Sequence, residues 1–291
     1  MNQKIVWKNS APYAVCLTHD VDRIKKQWYH YLVYCNRGIG VQAKSLMQKI
    51  KGDEPYNNFR KIAELEMSYG ARSTFLFLNE SYKEFSTNFI GRYKITDPVV
   101  VGNIKWLDES GFEIGLHGSY YSYNNEELLK KEKLVLEQIV GHEVVSTRQH
   151  FLNRDETTLQ IQKKIGIKYD STIGNKKTTG EQLPIFPYYT SEGILEMPIT
   201  VMDSVSIKNE DEMEIVVKAC ESVMKRGGLV MLNFHQRQLR ELEYPYIYKT
   251  YKSLLDMARS DKAWVATMGE IGKYIDDYYG DRARIENKCK Y

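Results

Sequence analysis

Four short stretches concentrate the residues able to do acid–base or metal chemistry. The first is Thr18-His19-Asp20-Val21-Asp22, at the end of an apolar run. Side chains alternate along a strand, so Asp20 and Asp22 project one way and His19 the other. Two carboxylates at a strand's C-terminal end suit a base and a metal ligand; a turn with an aspartate helix cap before Arg23 is the plainer alternative. In the second stretch, Phe112, Ile114 and Leu116 share one face, and Glu113, Gly115 and His117 share the other. The third, Thr147-Arg148-Gln149-His150-Phe151, places an arginine and a histidine two apart on one face. In the fourth, Val230, Leu232 and Phe234 alternate with Met231, Asn233 and His235. Taken singly, each histidine is readable as a capped core or surface residue as well as a functional one. Taken together, they end strands at one mouth if the strands are parallel and closed into a barrel. Asp20, Asp22, His117, Arg148, His150 and His235 would then meet.

The elements that must position them follow from the pattern of short apolar runs alternating with amphipathic segments, which predicts an α/β fold with mostly parallel strands. Strands are expected over 13–19, 73–78, 112–117, 146–151, 168–171, 194–199 and 229–235. Seven strands with intervening helices predict a (β/α) barrel, closed or incomplete. Asn124 with Glu127, Asn209 with Glu212 and Thr267 with Glu270 stand at capping-box spacing and mark helix starts. Residues 23–70 are long for one strand-to-helix connection and read as a helical insertion after the first strand, broken near Gly38–Gly40 and Gly52–Pro55, covering one rim. No linker interrupts the chain, so residues 1–291 are expected to form one domain.

Bulk properties exclude several classes. Lysine plus arginine is 41 and aspartate plus glutamate is 38, a net charge of +3 over 291 residues, which argues against nucleic-acid binding. No apolar run is long enough for a membrane span, and the N-terminus shows no export signal. Cysteines 16, 35, 220 and 289 are widely spaced, which suits reduced thiols. The expected location is cytoplasmic. The 22 tyrosines are read first as packing residues with polar tips, and second as a surface on which sugars stack.

The same stretches resemble the polysaccharide deacetylase (NodB-homology) superfamily, carbohydrate esterase family four. Thr18-His19-Asp20-Val21-Asp22 is similar to that family's first motif, a T-F-D-D-G with D-x-D variants. His117 matches the first histidine of its H-S/T-x-x-H motif, where the second position here holds Tyr121. Arg148 and Phe151 match its R-x-P-Y motif, with His150 replacing the proline. Tyr169-Asp170-Ser171, Leu195-Glu196-Met197-Pro198 and Leu232-Asn233-Phe234-His235 stand where later motifs are expected. The resemblance runs from about Tyr13 to Tyr274. Its order of motifs is specific; any one motif is less so. The forms THDVD, LHGSYYS and RQHFL look like an uncharacterised bacterial branch.

That resemblance implies a distorted (β/α) barrel and a deacetylase acting on an acetylated carbohydrate with a divalent metal, taken as zinc. It implies Asp20 as general base, His235 as general acid and Arg148 as the group orienting Asp20. Tyrosine is a poor substitute for imidazole on zinc, since its hydroxyl ionises only near pH ~10. His150 is the substitute expected, giving Asp22, His117 and His150 as ligands, with His19 as the rival third ligand. Tyr121, Asp170 and His19 are assigned to substrate contacts or to the surroundings of the ligands, with Asp170 a candidate partner for Arg148. The alternatives are a catalytically impaired carbohydrate-binding barrel and another metal-dependent amide hydrolase.

Overall fold

A computed structural model describes residues 5–33, 38–80, 92–174, 184–203 and 207–288. Cys35 and Cys289 lie outside the described residues; Cys16 and Cys220 are buried free thiols.

Among the described residues one sheet carries β1 (Ala14–Val21), β2 (Thr74–Leu78), β3 (Glu113–Gly118), β4 (Ser146–Gln149) and β5 (Tyr169–Asp170). It continues with β6 (Tyr188–Tyr189), β7 (Leu195–Glu196), β8 (Val201–Met202), β9 (Leu229–Asn233) and β10 (Trp264–Ala266). The order is β6-β7-β5-β4-β3-β2-β1-β9-β8, with β10 also paired to β1. Every pairing is parallel except β6 with β7. The expected barrel is therefore present as a curled sheet, with more strands than the seven anticipated. The extra ones, β6, β8 and β10, are two or three residues long, too short for a period-two pattern to reveal. The run 194–199 is one strand in expectation and only Leu195–Glu196 in fact. After it, residues 197–200 cross between the sheet's two edges: Met197 N–H donates to Asp170 O at 2.8 Å, and Thr200 N–H donates to Met231 O at 2.8 Å.

Alternation sorts the strand residues into two cores. Val15, Leu17, Phe75, Phe77, Ile114, Leu116, Val230, Leu232 and Phe234 face the surrounding helices. Ala14, Cys16, Leu76, Leu229 and Met231 face inward, together with Met268, Ile271 and Ile275 of the last helix. Gly115 is on the inner face, where an added Cβ would lie 2.6 Å from Leu76 Cδ2 and 3.1 Å from Ser146 O. The lower half of the inner face is thus largely apolar, apart from Glu113 bonded by Thr74 and Ser146, and it is polar from Thr18 and Asn233 upward.

The insertion holds α1 (Trp28–Val33) and α2 (Ile39–Ile50), followed by α3 (Phe59–Ser68), which leads into β2 as an ordinary crossover. Later come α4 (Pro98–Glu109), α5 (Glu126–Val140), α6 (Thr158–Lys164), α7 (Glu210–Lys225), α8 (Pro245–Ser260) and α9 (Met268–Lys288). The expected cap at Asn209 forms, its side chain accepting from Glu212 N–H at 2.9 Å. Thr267 and Glu270 make the reciprocal box, with bonds of 3.0 and 3.2 Å. At α5 the cap is Asn125 rather than Asn124: its Oδ1 accepts from Leu128 N–H at 3.0 Å. The neighbouring asparagine is the one with extended backbone three residues before a helical N–H.

Candidate active site

The polar upper half of the barrel gathers six of the anticipated residues. Asp20 is gripped on both oxygens. Arg148 Nη1 donates to Oδ1 at 2.7 Å, and Asn233 Nδ2 donates to Oδ2 at 2.7 Å. Arg148 is itself fully buried and fixed by Ser171 O, Ser171 Oγ and Thr18 Oγ1, each at 2.9 Å. Burial works against ionisation of Asp20, but Arg148, then His117 and His235, outweigh it and hold the carboxyl well below its usual range.

Asp22, His117 and His150 each offer one ligand atom, all within 4.8 Å of one another. Asp22 Oδ1 lies 3.6 Å from His117 Nε2 and 3.4 Å from His150 Nε2. This buried oxygen accepts no hydrogen bond from the described residues. His117 Nδ1 lies 2.8 Å from Arg148 O, which can only accept; Nδ1 therefore carries the proton and Nε2 presents its lone pair toward Asp22. The set is one carboxylate oxygen and two imidazole nitrogens, with an unpartnered anionic oxygen at its centre. That donor chemistry fits a divalent cation such as zinc with a position left open.

His150 arrives differently from expectation. β4 ends at Gln149, and His150–Leu152 make a tight turn in which Phe151 has φ 57° and Leu152 φ 56°. Positive φ is unfavourable for side chains of this size. The turn sets the His150 ring 5.0 Å from that of His117 and leaves Phe151 against it at 4.4 Å. Burial lowers the His150 pKa to about 4 against the pull of the nearby Glu80 and Asp22 carboxylates, so the ring is neutral and able to ligate.

His235 stands beside the cluster, Nε2 3.7 Å from Asp22 Oδ2. Its Nδ1–H meets Asp203 Oδ1 at 2.6 Å, and its backbone N–H donates to Asp203 Oδ2 at 2.7 Å. Burial disfavours the imidazolium, but the charge of Asp203 and its hydrogen bond prevail over Arg237 and raise the pKa. An aspartate on Nδ1 leaves Nε2 as the position from which a proton can be given.

Two anticipated residues face away from the site, and a third, Tyr121, lies beyond the end of β3. His19 faces outward, as alternation requires. Its Nδ1 bonds Phe234 O at 2.7 Å and its Nε2 bonds Glu66 Oε1 at 2.7 Å, with Tyr251 Oη donating to the same oxygen at 2.6 Å. His19 therefore neither joins the ligand cluster nor surrounds it. Asp170 also faces outward and does not pair with Arg148. Its Oδ1 accepts from Thr172 Oγ1 at 2.7 Å, and it sits opposite Glu196 in the β5–β7 ladder. Burial raises the pKa of both carboxyls. Tyr121 is 39% exposed and packs its ring against Tyr120 at 4.8 Å, beyond the end of β3.

Five residues complete the site without having been anticipated there. Asn233 shares the inner parity of β9 with His235, and Glu80 keeps the parity of Thr74 and Leu76 beyond β2; both signals were legible. Glu80 accepts from Tyr120 N–H at 3.0 Å and lies 3.7 Å from His150 Nδ1. Arg92 donates from Nε to Glu80 at 2.7 Å and places Nη2 3.1 Å from His150 Nε2. Arg237 Nη1 donates to Asp22 Oδ2 at 2.5 Å. Burial opposes the charge on Asp22, while Arg237 and the neighbouring histidines carry its pKa well below the usual range. Asp203 follows a two-residue strand that no pattern marks.

Residues 99–240 match a family model described as WbmS-like polysaccharide deacetylase. No curated protein sequence matches the chain. The fold is similar to that of a protein described as a polysaccharide deacetylase from Mycobacterium smegmatis, with TM-score 0.62 and 15% identity over 94% of this chain and 93% of that one. A protein so described from Pseudomonas aeruginosa PAO1 gives TM-score 0.62 and 15% identity over 94% of each chain. Puue allantoinase gives TM-score 0.62 and 14% identity over 94% of this chain and 93% of that one. No helix of the described residues is long and apolar enough to cross a membrane. The family-model match over residues 99–240 and the shared fold are both consistent with the polysaccharide deacetylase (NodB-homology) superfamily.

Proposed function

We propose that the protein is a metal-dependent deacetylase that hydrolyses an N-acetyl group, or an O-acetyl group, on a sugar or polysaccharide precursor. The observation that carries the reading is the unpartnered Asp22 Oδ1 between the Nε2 atoms of His117 and His150, beside the His235–Asp203 pair. Asp22, His117 and His150 are the proposed ligands, and zinc is the proposed metal. A divalent cation held there acidifies a coordinated water and polarises an acyl oxygen. Asp20 is the proposed general base. Held ionised by Arg148, it is a weak base by itself and needs a water already made acidic. Arg148 and Asn233 aim its oxygens. His235 is the proposed general acid: Asp203 keeps the proton on Nδ1 and favours the imidazolium, whose Nε2–H passes to the leaving nitrogen or oxygen. The C–N or C–O bond breaks as the water oxygen bonds to the acyl carbon, giving acetate and the deacetylated sugar.

Around the exit from this site, Tyr120 and Phe151 stack edge to face at 5.6 Å, with Phe151 42% exposed. Such rings suit the apolar face of a sugar. A pure binding barrel would need neither the clamped Asp20 nor the His235–Asp203 pair, which favours catalysis over that alternative. The test is bound metal per chain measured together with acetate release from a panel of N- and O-acetylated sugars, oligosaccharides and nucleotide sugars, with a cyclic ureide and a simple amide as controls. Acetate release that chelation abolishes and zinc restores is expected. Hydrolysis of the control amides alone would replace this reading with that of another amide hydrolase.

A further inference from the structure

The charges around the cluster do not match what a neutral acetylated sugar requires. Arg92 and Arg237 both reach the cluster. Among the described residues, the guanidinium groups of Arg92, Arg148 and Arg237 and the carboxylates of Asp20, Asp22, Glu80 and Asp203 meet around it, a net of minus one with the imidazoles neutral. A divalent cation turns that into an excess of one positive charge, which a neutral substrate would leave uncompensated in a largely buried site.

The donors point the same way. Arg237 spends one N–H on Asp22 Oδ2. Its Nε and Nη2 make no hydrogen bond among the described residues, and neither is a buried unsatisfied group, so both reach solvent beside the site. Arg92 Nη2 lies against His150 Nε2, which has a single lone pair. If that lone pair goes to a cation, the Arg92 N–H needs another acceptor. Guanidinium groups with forked donors left over are the usual means of holding phosphate or carboxylate.

We propose that the substrate carries an anionic group, a phosphate or a carboxylate, near the acyl group to be removed, and that Arg92 and Arg237 hold it. This rests on the deacetylase reading for the position of the acyl group, but the charge preference is measurable without turnover. The probes are N-acetylglucosamine, N-acetylglucosamine 1-phosphate and the uronic acid of N-acetylglucosamine, titrated calorimetrically into the zinc-loaded protein. Binding of one or both anionic probes roughly 10- to 100-fold tighter than the neutral sugar is expected. That preference should shrink with rising salt. Whichever anion binds tighter identifies a phosphate-linked or an acidic sugar as the source. Arg92→Gln and Arg237→Gln should each collapse the anionic-to-neutral affinity ratio, and Arg237→Lys should recover part of it, with metal content checked in every variant. Equal affinity for charged and neutral probes in the wild-type protein overturns the proposal, whether or not any variant folds. Acetate release without anionic preference sinks this inference and leaves the deacetylase reading standing. Anionic preference without release from any acetylated substrate does the reverse.

Discussion

The two faces of β1 carry histidine–carboxylate clusters that look alike in composition and differ in how the imidazole nitrogens are used. Outside the barrel, His19, Glu66 and Tyr251 form a buried triad in which both imidazole nitrogens are committed, to Phe234 O and Glu66 Oε1. Inside, Asp22, His117 and His150 converge, with Asp22 Oδ1 lacking a hydrogen-bond partner among the described residues and the Nε2 atoms of His150 and His117 lying 3.4 and 3.6 Å from it. The outer cluster ties α3 and α8 to the end of β1 through Glu66 Oε1, while Glu66 Oε2 accepts no hydrogen bond among the described residues. A buried polar group left unpaired costs about 1–3 kcal/mol, and both clusters carry that cost. Of the two, the inner one sets its unpaired oxygen among ligand atoms of two histidines, all within 4.8 Å of one another.

The sharpest way to break this contrast is to disable each cluster's neighbours and compare activity with stability. Asp20→Asn and His235→Ala should each lower deacetylation by roughly 10²–10⁴-fold, read as kcat/KM on the best acetylated substrate, while the thermal midpoint stays near the wild-type value. Wild-type turnover in either variant would put the inner face on a par with the outer one. Next in size, His117→Ala or His150→Ala should weaken zinc binding by more than the roughly 10- to 100-fold typical of losing an outer partner, measured by competition with a chromogenic chelator. Glu80→Gln, which touches His150 from behind, should fall within that range. His19→Ala should leave zinc affinity untouched; if it releases the metal while His150→Ala retains it, the assignment of ligands is reversed.

The converse holds for stability. His19→Ala leaves the Glu66 carboxylate buried with Tyr251 as its remaining side-chain donor among the described residues. A loss on the order of 3 kcal/mol in chemical denaturation is expected, against little change for His150→Ala. The smallest effect concerns pH. Asp20 and Asp22 are buried with guanidinium partners and titrate low, whereas Glu132 is buried near Ser119 and Ser122, without a cation, and its pKa is pushed up to about 7. Below about pH 4.5 this carboxyl is protonated in both folded and unfolded chains. Between there and 7 the unfolded chain releases the proton first, so the folded state loses stability as pH rises, with a slope of up to one proton. In Glu132→Gln that slope should flatten across the same interval of denaturation midpoints.

Much of this was legible in the chain itself. Period-two alternation placed Asp20, His117, Arg148 and Asn233 on one face of their strands and His19 on the other, because Cβ direction follows from backbone pleat alone. Glu80 was legible by the same parity and passed over. Asp203, Arg92 and Arg237 were not, since they sit beyond strand ends, where no period operates. Asp170 misled for a related reason: its strand is two residues long, and only its pairing with Glu196 in the ladder reveals which way it faces.

By itself the sequence determined the alternation of strands and crossover helices, the caps at Asn209 and Thr267, and the face on which residues of the longer strands lie. These depend on neighbours a few positions away. Tertiary structure alone decided that His150 reaches the cluster through a turn of positive φ rather than along a strand, and that Arg148 serves Asp20 rather than Asp170. It also decided that Asp203 backs His235 and that two further guanidinium groups border Asp22. Each of those depends on the distance between segments far apart in the chain, which is set by how the sheet curls and not by any local preference.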